Sequence, residues 1–182
     1  MEAAPIVIRD KNGEAVLLRS AVPSDAEALL EYLKVTSGET RNLIREREEV
    51  TLTVEQEENL IESYRLSPHR LMLTAFRNGK VLGNCSLVPI GSHRRYAHRC
   101  GVAIALYREY WGLGIGRKML ETVLDAAKKV GYEQAELEVV STNERAIALY
   151  KKLGFVKYGQ IPHNMKYTDG SYADTDWMMK VL

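Results

Sequence analysis

Residues 110–116 read YWGLGIG and run directly into RKMLETVLDAAKKVG, so a glycine-rich turn opens a helical segment. Gly112, Gly114 and Gly116 lack the Cβ atoms that would hold a ligand off the main chain, and they accept backbone angles closed to other residues. A helix N-terminus presents N–H groups without intrahelical partners and roughly half a positive charge. Together these suit the oxygens of a phosphate or diphosphate. The same pattern in isolation serves equally well as a tight turn or a packing device, so the flanking elements must decide.

The helix is legible from Met119, Leu120, Val123, Leu124 and Ala127, which recur at helical spacing, and Gly131 supplies its stop. Cys100 to Leu106 (CGVAIAL) before the turn has the length and composition of a strand. Strand, glycine turn and helix in that order occur in two nucleotide folds. A P-loop requires Lys then Ser or Thr after its last glycine, whereas Arg117 and Lys118 follow Gly116. A dinucleotide fold requires further parallel units, for which a chain of 182 residues ends too soon.

A second informative stretch is AELEVVSTNERAIALYKKLGF, residues 135–155. Ala135, Leu137 and Val139 alternate with Glu136, Glu138 and Val140, the period of a strand with one buried face. Asn143 is a suitable N-cap and Gly154 a suitable C-terminal stop for the helix that follows. Asn143, Ala146 and Tyr150 share one helix face, with Leu149 and Leu153 on another directed to the core.

With these segments in place, the chain resembles the GCN5-related N-acetyltransferases (GNAT) over most of residues 16–182, most densely over 101–155. The family's turn Arg/Gln-x-x-Gly-x-Gly/Ala is matched at 111–116, with Trp111 where Gln or Arg is usual. Its L-x-V-x-x-x-N-x-x-A-x-x-L-Y-x-x-x-G-F pattern is matched at Leu137, Val139, Asn143, Ala146, Leu149, Tyr150, Gly154 and Phe155. The resemblance implies acetyl-CoA as donor and a primary amine as acceptor. It implies that the thioester and pantetheine lie along Ile104, Ala105 and Leu106. The diphosphate would sit over Gly112, Leu113, Gly114, Ile115, Gly116 and Arg117, with Asn143, Ala146 and Tyr150 flanking the pantetheine arm and sulfur.

The chemistry makes its own demands. An alkyl amine with a pKa of about 10 is protonated near neutrality, so a base must accept a proton before the nitrogen attacks. Glu138 is the first candidate, twelve residues before Tyr150, a spacing that resembles family members acting on a ribosomal protein N-terminus. Glu136 on the same face, or an ordered water, are the alternatives, and both carboxylates could equally be solvated acids. Tyr150 is placed to serve the departing sulfur. Full proton transfer from a phenol to a thiolate is uphill by roughly 2 kcal/mol, so a hydrogen bond to the sulfur is the stronger expectation.

The amino-terminal half supplies the rest of one domain spanning 1–182, with 1–14 a flexible or extra edge segment. A strand at 16–19 precedes Ser24 and Glu27, read as a capping box, and a second helix covers 52–65 with Thr53 at its start. Asn78-Gly79 is a strong hairpin signal between 71–76 and 81–89. A further strand is expected over 96–106, and segments 156–161 and 174–181 are joined through a turn at 167–170. The expected fold is α+β: a mixed, mostly antiparallel sheet of roughly six to seven strands flanked by about four helices. The acceptor pocket is expected between the loop joining the first two helices, which includes the charged run 41–49, and residues 160–175, with His163 and Asn164 within reach.

Composition sets limits on partners. A net charge of +1 gives no reason to expect nucleic acid, and the basic run 92–99 reads as a solvated hairpin. No apolar run approaches the ~20 residues of a membrane span, so no membrane partner and a cytoplasmic location are expected. Cys85 and Cys100 read as free thiols, and the four histidines show no metal spacing, so no metal is expected. A homodimer is compatible with the sequence. Besides an N-acetyltransferase, a non-catalytic CoA-binding regulator and a purely structural module share these features.

Overall fold

A computed structural model describes all 182 residues. In chain order the elements are β1 (Ile6–Arg9), β2 (Ala15–Ser20), α1 (Ala26–Glu39), α2 (Val54–Leu66), β3 (Leu71–Arg77), β4 (Lys80–Pro89), β5 (Arg99–Leu106), α3 (Ile115–Lys129), β6 (Gln134–Val140), α4 (Glu144–Lys152), β7 (Val156–Lys166) and β8 (Tyr172–Val181). The strands form one sheet in the order β1-β2-β3-β4-β5-β6-β8-β7. Every neighbouring pair is antiparallel except β5 and β6. The sheet has eight strands rather than six or seven. The addition is β1, an edge strand formed by part of the 1–14 segment.

Alternation along the strands gives the sheet two apolar faces, and helices cover both. On one face α3 buries Met119, Leu120, Val123, Leu124 and Ala127 against residues that include Leu18, Leu73 and Leu87. On the other, Leu29 and Tyr32 of α1 and Ile61 of α2 meet Phe76 and Val81. Local signals account for most boundaries. Thr53 accepts from the Gln56 amide at 3.2 Å while the Gln56 side chain accepts from the Thr53 amide at 2.9 Å, closing a reciprocal cap on α2. Asn78 and Gly79 both adopt positive φ, as the two-residue β3–β4 turn requires.

Three expectations needed correction. The Ser24–Glu27 box does not form, because α1 starts at Ala26 and the Asp25 carboxylate accepts from the Val22 amide at 2.9 Å while pairing with Arg19. Residues 94–96 form a 3₁₀ turn, so β5 begins at Arg99 rather than 96. The last two strands run to Lys166 and back from Tyr172, longer than their apolar patterns suggested. Their extra length is held by main-chain pairing, which hydrophobic periodicity does not report.

Candidate active site

The site is built where the sheet branches. β5 pairs with β6 only over Arg99↔Gln134, Cys100↔Ala135 and Gly101↔Glu136, after which Val102–Leu106 and Leu137–Val140 diverge. The vertex of this V is clasped by Arg99 and Glu136, whose two hydrogen bonds measure 2.5 and 2.7 Å. Beyond the vertex opens a cavity of about 690 Å³ lined by Ile104, Leu106, Val139, Asn143, Tyr150 and the glycine turn, among others.

Which groups of β5 face the cavity follows from the register. The Tyr107 amide donates to Leu82 and the Ile90 amide to Arg99, with Ala105 opposite Asn84. Odd-numbered residues of β5 therefore exchange main-chain hydrogen bonds with β4. The Val102 carbonyl and the peptide groups of Ile104 and Leu106 point the other way, into the opening, while the Val102 amide completes the last rung to Glu136. Of the expected contact strand, Ile104 and the Leu106 amide offer an unpaired edge, whereas the Ala105 carbonyl is turned to β4 and also accepts from the Tyr32 hydroxyl at 2.8 Å. The Leu106 carbonyl is occupied as well, by the Trp111 indole N–H at 2.9 Å. Trp111 thus braces the end of β5.

The glycine turn follows at once. Gly112 and Gly114 have φ of +81° and +85°, the left-handed region that favours glycine, and Gly114 is the N-cap of α3. Without a side-chain cap, the amides of Ile115, Gly116 and Arg117 lack intrahelical acceptors, and the first helical bond is Lys118 to Gly114 at 3.2 Å. Gly116 has a different purpose. A Cβ there would lie 3.3 Å from Leu106 Cδ1 and 3.5 Å from Ile104 Cδ1, so its absence lets the start of α3 approach β5. An extended chain edge, a cavity of this size and an uncapped helix start form a continuous surface that fits a thiol-terminated arm ending in a diphosphate.

A family model for the acetyltransferase (GNAT) family matches residues 38–155. The chain belongs to the GNAT family. The Arabidopsis thaliana N-alpha-acetyltransferase MAK3 is 29% identical over 94 residues, which is 52% of this chain and 49% of that protein. The matched stretch therefore spans about half the length of such curated relatives. A GNAT acetyltransferase from Streptococcus pneumoniae superimposes with a TM-score of 0.88 at 29% identity, covering 92% of this chain and 99% of that one. The yncA acetyltransferase of Salmonella typhimurium, solved with acetyl-CoA, has the same fold, with a TM-score of 0.81 at 23% identity over 92% and 94% of the two chains.

In this GNAT chain the two candidate carboxylates separate clearly. Glu136 is 1% exposed and receives hydrogen bonds from Arg99, Gln134 and Tyr158, and the Arg99 guanidinium holds its carboxyl below the usual range. It does not line the cavity. Glu138 is exposed, lines the cavity and accepts from the Asn164 carboxamide, which also donates to Thr175 Oγ1 at 2.8 Å. Asn143 caps α4, accepting from the Ala146 amide at 3.3 Å, and both line the cavity.

Tyr150 also lines it, although it is 7% exposed, with its ring edge-on to Phe155 at 5.9 Å. Burial, with Cys85 nearby, pushes its phenol well above the ordinary value, so it stays protonated. The expected division of α4 into a ligand face and a core face holds in part: Asn143, Ala146 and Tyr150 line the cavity and Leu153 is buried in the core with Leu149 packed against it, but the faces overlap. Tyr150 is its only fully buried member, while Leu149 is half-buried and lines the cavity. Both cysteines are free and buried, with the Cys100 thiol pushed up to about 12.

A neighbouring cavity of about 500 Å³ shares Asn42 and Val140 with the first and is lined by His163, Tyr167 and Tyr172. Its roof joins the α1–α2 loop to the β7–β8 turn. Arg41 pairs with Asp169 at 3.1 Å, stacks on the Tyr167 ring at 3.9 Å and accepts through its carbonyl from the Tyr167 hydroxyl at 2.9 Å. The α1–α2 loop, through Arg41 and Asn42, and the expected segment 160–175, through His163 and Tyr167, thus line one cavity. Three site features escaped the sequence reading. Arg99 lay within a run taken for a solvated hairpin, Arg145 lay inside the matched helix motif, and Lys11 comes from the edge hairpin, whose Asn12-Gly13 turn signal went unread.

Proposed function

We propose that this chain is an acetyl-CoA-dependent N-acetyltransferase, a single domain that moves an acetyl group to a primary amine by direct attack in a ternary complex. The observation that carries this reading is the branched sheet, whose unpaired β5 edge leads straight to the uncapped start of α3. The Val102 carbonyl and the Ile104 peptide receive the pantetheine arm, and the amides of 115–117 receive the diphosphate. The acetyl carbonyl then lies between the sulfur near Tyr150 and the acceptor side near Glu138.

In the chemical step the amine nitrogen attacks the acetyl carbon, a C–N bond forms and the C–S bond breaks. Glu138 accepts the ammonium proton, directly or through water, before attack, and the second N–H proton, lost once the C–N bond has formed, passes to solvent as the thiolate leaves. The Tyr150 hydroxyl, kept neutral by burial, donates a hydrogen bond to the departing thiolate. The acceptor enters between the α1–α2 loop and the β7–β8 hairpin, a space that suits the amine of an amino acid, a polyamine or a peptide N-terminus.

Release of free CoA thiol on adding acetyl-CoA with members of an amine panel tests the proposal. Amine-dependent thiol release is expected; tight acetyl-CoA binding without turnover on any amine would leave a CoA-binding regulator instead. With a productive amine, Tyr150→Phe is expected to lower kcat roughly 10- to 100-fold, the worth of one hydrogen bond to a charged group. An unchanged rate would reduce Tyr150 to packing.

A further inference from the structure

The turn that begins α3 has less positive charge of its own than its sequence suggests. Arg117 is drawn back along the helix to Glu121 at 2.8 Å, and Lys118 reaches the same carboxylate at 3.1 Å. Trp111 contributes no charge, and its indole N–H is spent on Leu106. A diphosphate is doubly negative, whereas a helix start supplies only about half a charge. Two cations from elsewhere in the chain stand beside the turn.

Arg145, on the first turn of α4, places its guanidinium carbon 5.2 Å from the Trp111 ring centroid, and its Nη2 would be 2.9 Å from a Cβ at Gly112. The guanidinium thus lies directly against the bare Cα side of Gly112. Lys11 lies in the loop between β1 and β2. Its amide donates to the Leu113 carbonyl at 3.0 Å, and its Cγ lies 3.8 Å from the Cβ position of Gly114. Both residues are exposed, line the same cavity as the glycines and stand outside the protein's ion pairs.

The Lys11 loop is held in place. Asp10 has a side chain with no exposed surface, pairs with Arg77 at 2.5 Å and accepts from the amides of Asn12 and Glu14 at 2.8 and 3.0 Å. A buried carboxylate serving three donors fixes the loop that carries the lysine, so its side chain starts beside the turn from a rigid base.

We propose that Lys11 and Arg145 are coenzyme-binding residues that bracket the glycine turn and neutralise the diphosphate of CoA. The edge hairpin, outside the stretch matched by the family model, thereby becomes part of the coenzyme site. This assignment rests on the acetyl-CoA reading above.

Titration calorimetry on the full chain with CoA, 3′-dephospho-CoA and pantetheine tests it. Lys11→Gln and Arg145→Gln are each expected to raise the Kd for CoA and for dephospho-CoA by the same factor, about tenfold, as loss of a charge-assisted contact does. Pantetheine, which lacks the diphosphate, should bind each variant as it binds the native chain, and Arg145→Lys should recover part of the loss. Unchanged Kd for CoA in both variants overturns the proposal. Weakening confined to CoA overturns it by moving the charges to the 3′-phosphate, and equal weakening of pantetheine overturns it by making the effect structural. A native chain that binds none of the three would instead remove the acetyl-CoA reading itself.

Discussion

Glu136 and Glu138 stand two residues apart on one face of β6, yet their surroundings are opposite. Glu136 lies at the last rung where β5 and β6 still pair, and the strands bring Arg99, Gln134 and Tyr158 onto it. Glu138 lies one step past the branch, where β5 has turned away and the cavity has opened, with Asn164 as its hydrogen-bond donor. A carboxylate ringed by donors is stabilised as an anion and is a poor base, whereas one facing a cavity is free to take a proton. The contrast shows that the end of strand pairing, not residue type, divides structural acid from candidate catalyst.

Glu138→Gln removes the base while preserving shape, and kcat is expected to fall by roughly 10²-fold or more with thermal stability intact. A rate and pH profile equal to the native enzyme's would hand the proton to water. Glu136→Gln should do the reverse. It leaves Arg99 without its counter-ion at the vertex, for a loss of roughly 2–3 kcal/mol of stability in denaturant unfolding, at the lower end for such pairs because Arg99 is partly exposed.

The sign of the associated pH effect is fixed. The Glu136 carboxyl is held below its ordinary value, so the native state binds fewer protons than the unfolded chain. Its contribution is complete above the unfolded carboxylate pKa of about 4.3 and is lost as pH falls through the folded value. Glu136→Gln should therefore flatten the acid side of the stability profile, and an unaltered acid limb would show that other carboxylates dominate. The smallest effect concerns Asn164, whose carboxamide orients Glu138. Asn164→Ala is expected to lower kcat about three- to fivefold with little change in the acetyl-CoA KM, consistent with one oriented hydrogen bond.

Much of the coenzyme half was legible because its signals are local. The glycine turn, the apolar stripe of α3, the Asn143 cap and the alternation in β6 each act within a few residues, and the structure places them together. The acceptor half was legible only as a region. Arg41, Tyr167 and Asp169 meet across more than a hundred residues of chain, and no periodicity marks such a meeting. Even within the proposed coenzyme half, the family resemblance gave Ile104, Ala105 and Leu106 equal standing. The β4 register then turned Ala105 away.

The sequence by itself determined the elements, their order and the family, because helix caps, glycine conformations and hydrophobic periods are short-range physics. The tertiary structure alone decided where β5 leaves β6, which glutamate is buried, and that Lys11 and Arg145 arrive beside the same turn. Those outcomes depend on strand register and on contacts between segments far apart in the chain, where burial and charge pairing are settled only once the sheet has closed around them.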